Sequence, residues 1–366
     1  MASSSASPES KAILEHLQAQ SSILRTSSFS TPTVPLSLPQ ALSNTSQLKG
    51  KVVVITGSGS KIGFGANYAR KIAVEYGAKV VLSDLRLKDV MEVVEEIRAA
   101  GGEATGIECN VLDWDAQVRM FRHAIDTYGK IDVVAANAGT SSETSQPLLS
   151  HQLDRNGEPK KPAMTTLDVN LTGVIYTVKL AFYHLSRNPS KKSQGGKSIV
   201  ILGSMASFFG IPGAPLYTAS KHAVLGFMRS LYHNAKSEGI SISTINPFFC
   251  HTGIFGFLPL IALSGIPLAS LEDVIGAMIY ASTPNPSSEE AEVNGSSFLV
   301  DWKGILQIPY NSTSGSSPSA LEPNSKVPKG YYKIFEERAS QAIYSGKLFK
   351  DVIYALLSLV WGPRKK

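Results

Sequence analysis

One stretch near residue 50 restricts what this chain can fold into more than any other. Val52-Val53-Val54-Ile55 is short, apolar and β-branched, and it runs straight into Thr56-Gly57-Ser58-Gly59-Ser60-Lys61-Ile62-Gly63-Phe64-Gly65. Such a run reads as a buried parallel strand. The helix-like segment 66–76 follows the turn, and then a second apolar strand, 79–83, ends at Asp84. Strand, glycine turn, helix and strand in this order demand a crossover connection. The crossover places the helix on one face of a parallel sheet.

The same alternation continues. The pattern predicts helices over 87–100, 116–128, 166–188 and 217–238, and strands over 103–108, 133–136, 198–202, 241–245 and 297–300. It implies an α/β protein with a doubly wound parallel sheet of the Rossmann type, in a single domain with extensions at both ends. The expected boundaries are an N-terminal extension over 1–48, rich in Ser, Thr and Pro, a domain over 49–310, and a C-terminal extension over 311–366. At 366 residues with 43% apolar content, the chain can bury a core of that size.

Charge and cysteine content exclude several classes. The net charge of +6 is spread along the chain, with compact clusters only at Lys160-Lys161, Lys191-Lys192 and Arg364-Lys365-Lys366. Nucleic-acid binders concentrate basic residues on one face, so no nucleic-acid partner is expected. Two cysteines, Cys109 and Cys250, make neither a disulfide framework nor a metal-ligand spacing. They fit a reducing, cytoplasmic setting, and no metal is expected. The N-terminus lacks the apolar core of a signal peptide, which makes Asn170-Leu171-Thr172 a chance glycosylation triplet. The stretch Gly253–Leu271 is nearly all apolar but carries Pro259, Gly265 and Pro267. It reads as a loop-and-helix lid over an apolar pocket, with a membrane span as the alternative. The apolar run Val352–Trp361 is too short to span a bilayer and offers a docking face for the domain, another subunit or a membrane surface.

Two places carry chemistry. In the first turn, glycines let the backbone approach a pyrophosphate closely, and the following helix N-terminus offers N–H groups to the negative charge. Asp84 sits where a carboxylate accepts hydrogen bonds from ribose hydroxyls and repels a 2′-phosphate, which points to NAD over NADP. Arg86 and Lys61 could neutralise a 2′-phosphate, so NADP stays open. The second place is Tyr217 and Lys221, four apart on one helix face. An ammonium there favours the phenolate and lowers a tyrosine pKa that ordinarily lies near ~10. Ser204 ends the preceding strand region and could donate to the oxygen that Tyr217 protonates or deprotonates.

Together these motifs resemble the short-chain dehydrogenase/reductase family, over roughly residues 48–300. The family's structural Asn-Ala-Gly is Asn137-Ala138-Gly139, its catalytic asparagine motif is Asp168-Val169-Asn170-Leu171-Thr172-Gly173, and its serine, tyrosine and lysine are Ser204, Tyr217 and Lys221. The resemblance implies Tyr217 as acid/base and Ser204 as partner of the substrate oxygen. Lys221 would tune the tyrosine and bind the nicotinamide ribose, and Asn170 would hold a water in a proton relay. It also implies that Gly57, Gly59, Lys61, Ile62, Gly63, Gly65, Asp84, Asn110, Asn137, Tyr217, Lys221, Pro247 and Thr252 contact the cofactor.

There are departures from the family pattern. Counting the glycine loop from Thr56 puts Lys61 at the second glycine. Counting from Gly59 gives Gly59, Gly63 and Gly65 with two extra residues, and this register leaves a helix of more usual length. The family's Pro-Gly after the sixth strand reads Pro247-Phe248, and Asn110 stands where an aspartate is frequent. The loop between Gly139 and Asn170 looks enlarged.

The style of the motifs, including Val300-Asp301-Trp302, is similar to a subgroup near 15-hydroxyprostaglandin dehydrogenase and fungal secondary-metabolite dehydrogenases. It implies hydride transfer between a nicotinamide cofactor and a bulky hydrophobic secondary alcohol or ketone, terpenoid, polyketide or lipid-like. The alternatives are a non-catalytic dinucleotide sensor or scaffold, an NADPH-dependent ketone reductase, and a peripheral membrane enzyme held by the C-terminal helix. Homo-oligomers are common in the family, although the extensions here could block the usual interfaces.

Overall fold

The strand–helix alternation folds into one sheet with helices on both faces. The computed structural model describes residues 34–141, 148, 150–188, 196–211, 213–252, 268–284 and 293–310. The strands are β1 (Val34–Leu36), β2 (Val52–Thr56), β3 (Lys79–Asp84), β4 (Glu103–Glu108), β5 (Val133–Ala136), β6 (Lys197–Leu202), β7 (Ile240–Pro247), β8 (Ser297–Asp301) and β9 (Gly304–Ile308). The longer helices are α1 (Phe64–Arg70), α2 (Leu87–Ala99), α3 (Trp114–Tyr128), α4 (Gly173–Ser186), α5 (Pro215–Ser237) and α6 (Leu271–Ser282). Residues 253–267 of the apolar stretch and the segment Val352–Trp361 lie outside the described residues.

The strand order is β1-β9-β8-β7-β6-β5-β2-β3-β4. Strands β2 to β8 pair in parallel, while β9 runs antiparallel to both β8 and β1. From β2 the chain winds outward to β3 and β4. It then returns to the other side of β2 as β5. That reversal creates a crevice between the carboxyl ends of β2 and β5, where open α/β sheets bind ligands. Central strands are apolar throughout because both their faces are covered: every residue of β2 and β5 is buried.

Two helical segments are wound more widely than α-helix. Lys71–Glu75 continues α1 as a π-turn, and Asp168–Thr172 leads into α4 as another. Such turns interrupt regular helices and are frequent at functional sites. The second one carries Asn170.

Two strands at one end of the sheet depart from the expected pattern. The sheet does not end at β8, because Asp301–Gly304 turns the chain back into β9, with Gly304 at φ +116°. Residues 34–48, expected within the N-terminal extension, are part of the domain. Strand β1 pairs with β9, and Ala41 and Leu48 are fully buried. Only residues 1–33 of that extension are outside the description. Among the described residues, no helix is long and apolar enough to cross a membrane.

Candidate active site

The residues singled out from the sequence fall at one edge of the sheet, because parallel strands end on the same side. The segments after β2, β4, β5, β6 and β7 carry Gly57 to Gly65, Asn110, Asn137, Ser204 and Thr252. Asp84 and Pro247 are the last residues of β3 and β7, and Tyr217 and Lys221 lie in the first turns of α5.

The glycine loop is closed against β5 by its missing side chains. Gly57 has φ +68°, and a Cβ there would lie 2.5 Å from the Ala138 Cα. A Cβ on Gly65 would lie 2.6 Å from Asn137 Nδ2 and 2.8 Å from the Gly57 carbonyl oxygen. No other residue permits these approaches. Asn137 holds the loop from below: its Nδ2 donates to the carbonyls of Thr56 (2.9 Å) and Gly57 (2.7 Å). Thr56 Oγ1 in turn accepts from the Asn137 and Ala138 amides, each at 3.1 Å. Gly63 caps α1 without a side chain. The turn glycine, Gly57, and the helix-packing glycine, Gly65, therefore stand at the two ends of the loop, with Gly59 and Gly63 between them. Neither count of the loop by itself captures both roles.

Asp84 faces this loop. Its Oδ2 accepts from the Gly59 amide at 2.8 Å and its Oδ1 from the Leu85 amide at 2.8 Å. A carboxylate has about four acceptor positions, so capacity remains for two further donors. Asn110 Oδ1 accepts from the Leu112 amide at 3.0 Å and shapes the turn after β4. Ile62 is exposed at the rim of the loop. Lys61 points away from the turn and bridges Glu92 and Glu96 of α2 at 3.0 Å each.

Asn170, Ser204, Tyr217 and Lys221 are all buried. Ser204 caps a short 3-10 turn, Met205–Ser207, its Oγ accepting from the Ala206 amide at 3.1 Å. The Ser204 and Tyr217 side chains are hydrogen-bonded to each other. Lys221 Nζ donates to the Leu202 carbonyl at 2.7 Å and lies 5.8 Å from the centre of the Tyr217 ring. Burial pulls the Lys221 ammonium down to about 8. Burial also pushes Tyr217 above its ordinary value, with the Ser204 bond working against it. Desolvation of the phenolate thus works against the depression expected from the spacing, and one proton of the ammonium is spent on a backbone carbonyl.

Asn170 spends its side chain on the loop after β5. Oδ1 accepts from the Thr140 amide (2.8 Å), while Nδ2 donates to the Thr140 carbonyl (2.9 Å) and to Ser220 Oγ (3.2 Å). A Cβ on Gly139 would sit 3.3 Å from Asn170 Oδ1 and 3.8 Å from Lys221 Nζ, so this glycine keeps the space between them open. Thr140 and Ser220 were not picked out from the sequence. Ser220 was within reach of it, since it lies between the tyrosine and the lysine. Thr140 was not, because its part is played by backbone atoms.

Beyond β7, Phe248 is edge-on to Phe249 (ring centres 5.1 Å apart) and to Trp302 (5.4 Å). The Phe248 amide donates to the Val300 carbonyl at 2.7 Å, tying this aromatic wall to β8. Thr252 is buried beside it in sequence. Among the described residues, no group of His, Cys, Asp or Glu could hold a metal ion.

The buried lysine has a measurable consequence. An unfolded lysine titrates near 10.5 and the folded Lys221 near 8. Below about 8 both states carry the proton, and the folded state bears the whole cost of a buried charge. That cost fades as pH rises toward 10.5. Lys221→Met is expected to stabilise the fold at neutral pH by about 2 kcal/mol, after allowing for the lost bond to Leu202. Urea unfolding of both proteins at neutral pH and near pH ~10 checks this; a gain that is equal at the two pH values would contradict it.

Comparison with known proteins adds to this geometry. Residues 51–258 match the family model described as short chain dehydrogenase. The chain is 35% identical over 216 residues to the short-chain dehydrogenase/reductase ascJ of Acremonium egyptiacum, covering 58% of this chain and 67% of the relative. It is 27% identical over 297 residues to 5′-hydroxyaverantin dehydrogenase of Dothistroma septosporum, covering 75% of this chain and 92% of the relative. It is 31% identical over 214 residues to (-)-trans-carveol dehydrogenase of Rhodococcus erythropolis, covering 55% and 71% of the two chains. A dehydrogenase/reductase structure from Sinorhizobium meliloti superposes with a TM-score of 0.58 at 24% identity, covering 72% of this chain and 98% of that one, and shares the fold.

Proposed function

The chain belongs to the short-chain dehydrogenase family, oxidoreductases that act on CH–OH groups with NAD(P), and on that premise we propose that it oxidises a bulky apolar secondary alcohol with NAD. The observation that carries the reading is the buried Ser204–Tyr217–Lys221 cluster, set at the same sheet edge as a glycine loop that faces a carboxylate.

The residues present fit a dinucleotide. Gly57, Gly59, Gly63 and Gly65 let the loop close tightly on its neighbours Ala138, Asp84, Ser60 and Asn137 ahead of α1, whose N-terminal N–H groups would receive a pyrophosphate. Asp84 takes the adenosine ribose hydroxyls, and Asn110, Asn137, Ile62, Pro247 and Thr252 border the remaining length. Bound there, a nicotinamide dinucleotide supplies the hydride acceptor.

The chain's own groups handle the oxygen and its proton. Ser204 Oγ donates to the substrate oxygen and orients it. Tyr217 Oη takes the hydroxyl proton as the carbon–hydrogen bond breaks. Its phenolate form is held by the Lys221 ammonium nearby. In the reverse direction Tyr217 is the acid. Asn170, by fixing Thr140 and reaching Ser220, keeps the path behind Lys221 in place for return of the proton to solvent. The buried surroundings make each of these polar interactions stronger than in water.

An apolar alcohol is favoured by the Phe248–Phe249–Trp302 wall at the carboxyl ends of β7 and β8. Relatives named for a hydroxyaverantin and for carveol support the same class. We place the protein in the cytoplasm and in secondary metabolism. Purified protein is expected to reduce NAD with hydrophobic secondary alcohols and not with sugars. Asp84→Ala is expected to weaken NAD binding about tenfold or more, which is what losing two charge-assisted hydrogen bonds would do. Calorimetric titration with NAD and NADP checks it. Tighter NADP binding by the unaltered protein would turn the reading toward ketone reduction, and no binding of either would turn it toward a non-catalytic role.

A further inference from the structure

Selectivity for NAD in such a site is usually traced to the carboxylate at the end of the second core strand, here Asp84. The surrounding cations show a second level of control. Three basic side chains belong to the glycine loop, its helix or the residues just after Asp84, namely Lys61, Arg70 and Arg86. Each is engaged by a carboxylate of α2 or its first turn. Lys61 Nζ lies 3.0 Å from Glu92 Oε2 and 3.0 Å from Glu96 Oε1. Arg70 pairs with Glu96 through both Nε and Nη2, and it also donates to the Lys61 carbonyl at 2.8 Å. Arg86 pairs with Asp89.

Lys61 follows by two residues Gly59, whose amide donates to Asp84, and α2, which carries Glu92 and Glu96, begins three residues after Asp84. A cation free to swing from Lys61 toward that point would offset Asp84 and welcome a 2′-phosphate. Held between two glutamates, it cannot do so without giving up both pairs. A 2′-phosphate beside Asp84 then meets a like charge without compensation, which disfavours its binding.

We propose that Glu92 and Glu96 are specificity-determining residues: by clamping Lys61 they keep the adenosine end of the site closed to a 2′-phosphate, and Asp84 alone does not set the coenzyme. This rests on the reading of the Asp84 loop as a NAD site. It makes the coenzyme preference a property of the loop and α2 together.

The test measures binding and needs no substrate. NAD and NADP are titrated calorimetrically into the unaltered protein, Asp84→Ser, Asp84→Ser with Glu92→Gln and Glu96→Gln, and that triple variant with Lys61→Met added. Asp84→Ser alone is expected to gain little for NADP. Adding the two glutamine substitutions is expected to tighten NADP about tenfold with NAD unchanged, an effect that shrinks as salt is raised. Adding Lys61→Met should abolish the gain. The inference is overturned if the glutamine substitutions leave NADP affinity as in Asp84→Ser, or if the gain survives Lys61→Met. Melting curves identify any variant that has merely lost its fold, and Glu92→Gln alone, which leaves the Arg70–Glu96 pair intact, then stands in with an expected threefold gain read the same way. The unaltered protein separates the two levels. Failure to prefer NAD there overturns the underlying reading, whereas NAD preference without a response to the glutamines overturns only the clamp.

Discussion

Tyr217→Phe is expected to lower turnover by about three powers of ten while leaving NAD affinity unchanged. General acid–base groups contribute about 10²- to 10⁴-fold, and this one sits where water cannot substitute for it, since Tyr217 is 9% exposed. The ring itself is retained by phenylalanine, so packing against the start of α5 is preserved and only the proton handling is removed. Burial raises the Tyr217 pKa, so oxidation, which requires the phenolate, is expected to accelerate as pH rises toward about 8, above which the Lys221 ammonium that holds the phenolate is itself lost. The residual activity of the phenylalanine variant should lack that rise. Steady-state kinetics over a pH series, with nucleotide titration alongside, checks both parts. Turnover within tenfold of the unaltered enzyme would remove Tyr217 from the proposed mechanism.

The second large effect lies at the opposite edge of the sheet. Asp132 is 3% exposed and joins three elements by its carboxylate. Oδ2 accepts from the Val52 amide and from Lys130 Nζ, each at 2.9 Å, and Oδ1 accepts from Asn188 Nδ2 at 2.9 Å. Nearby, Lys51 is buried, donates to the Gly196 carbonyl at 2.8 Å and has its pKa pulled down to about 8 by burial, with Asp132 opposing that pull. Asp132→Ala leaves an amide, a carboxamide and a buried cation without their counterpart. Removing one member of such a buried set costs about 3–5 kcal/mol. Urea unfolding measures the loss. Cofactor affinity of the folded fraction should be unaltered, because this cluster lies at the amino ends of β2 and β5. A change below about 1 kcal/mol would show that the cluster is solvated and only incidental to stability.

What the sequence made legible was mostly local. The glycine turn, the spacing of Tyr217 and Lys221, and the strand–helix alternation are each contained in a short window, and the sheet has the expected parallel core. Strand β9 does not stand out in the sequence, although Ile305 and Gln307 alternate inward with their neighbours, because only the short turn ending at Gly304 separates it from β8. Strand β1 has only three residues and includes Pro35, which hid it in a segment otherwise rich in Ser and Pro. The environment of Tyr217 was not legible at all. Spacing shows that a cation is near, while burial, which sets the direction of the shift, is a property of the assembled core. The pairing of Lys61 with Glu92 and Glu96 joins a loop to a helix beyond the next strand, and no periodicity announces it.

The pairing of β1 with β9 bears on the order in which the molecule can be made. Val34 lies opposite Gln307, so one of the first described residues to leave the ribosome waits for one of the last. Bringing together ends so distant along the chain carries a loop-closure cost that only the intervening sheet can reduce, by holding β8 and β9 in position first. During synthesis β1 therefore has no strand to pair with, and a chain halted short of β9 would leave the β8 edge bare. Such an edge pairs readily with other strands. The amino-terminal strand is thus the closing stitch of the sheet, and its seating marks a chain that has been completed through β9.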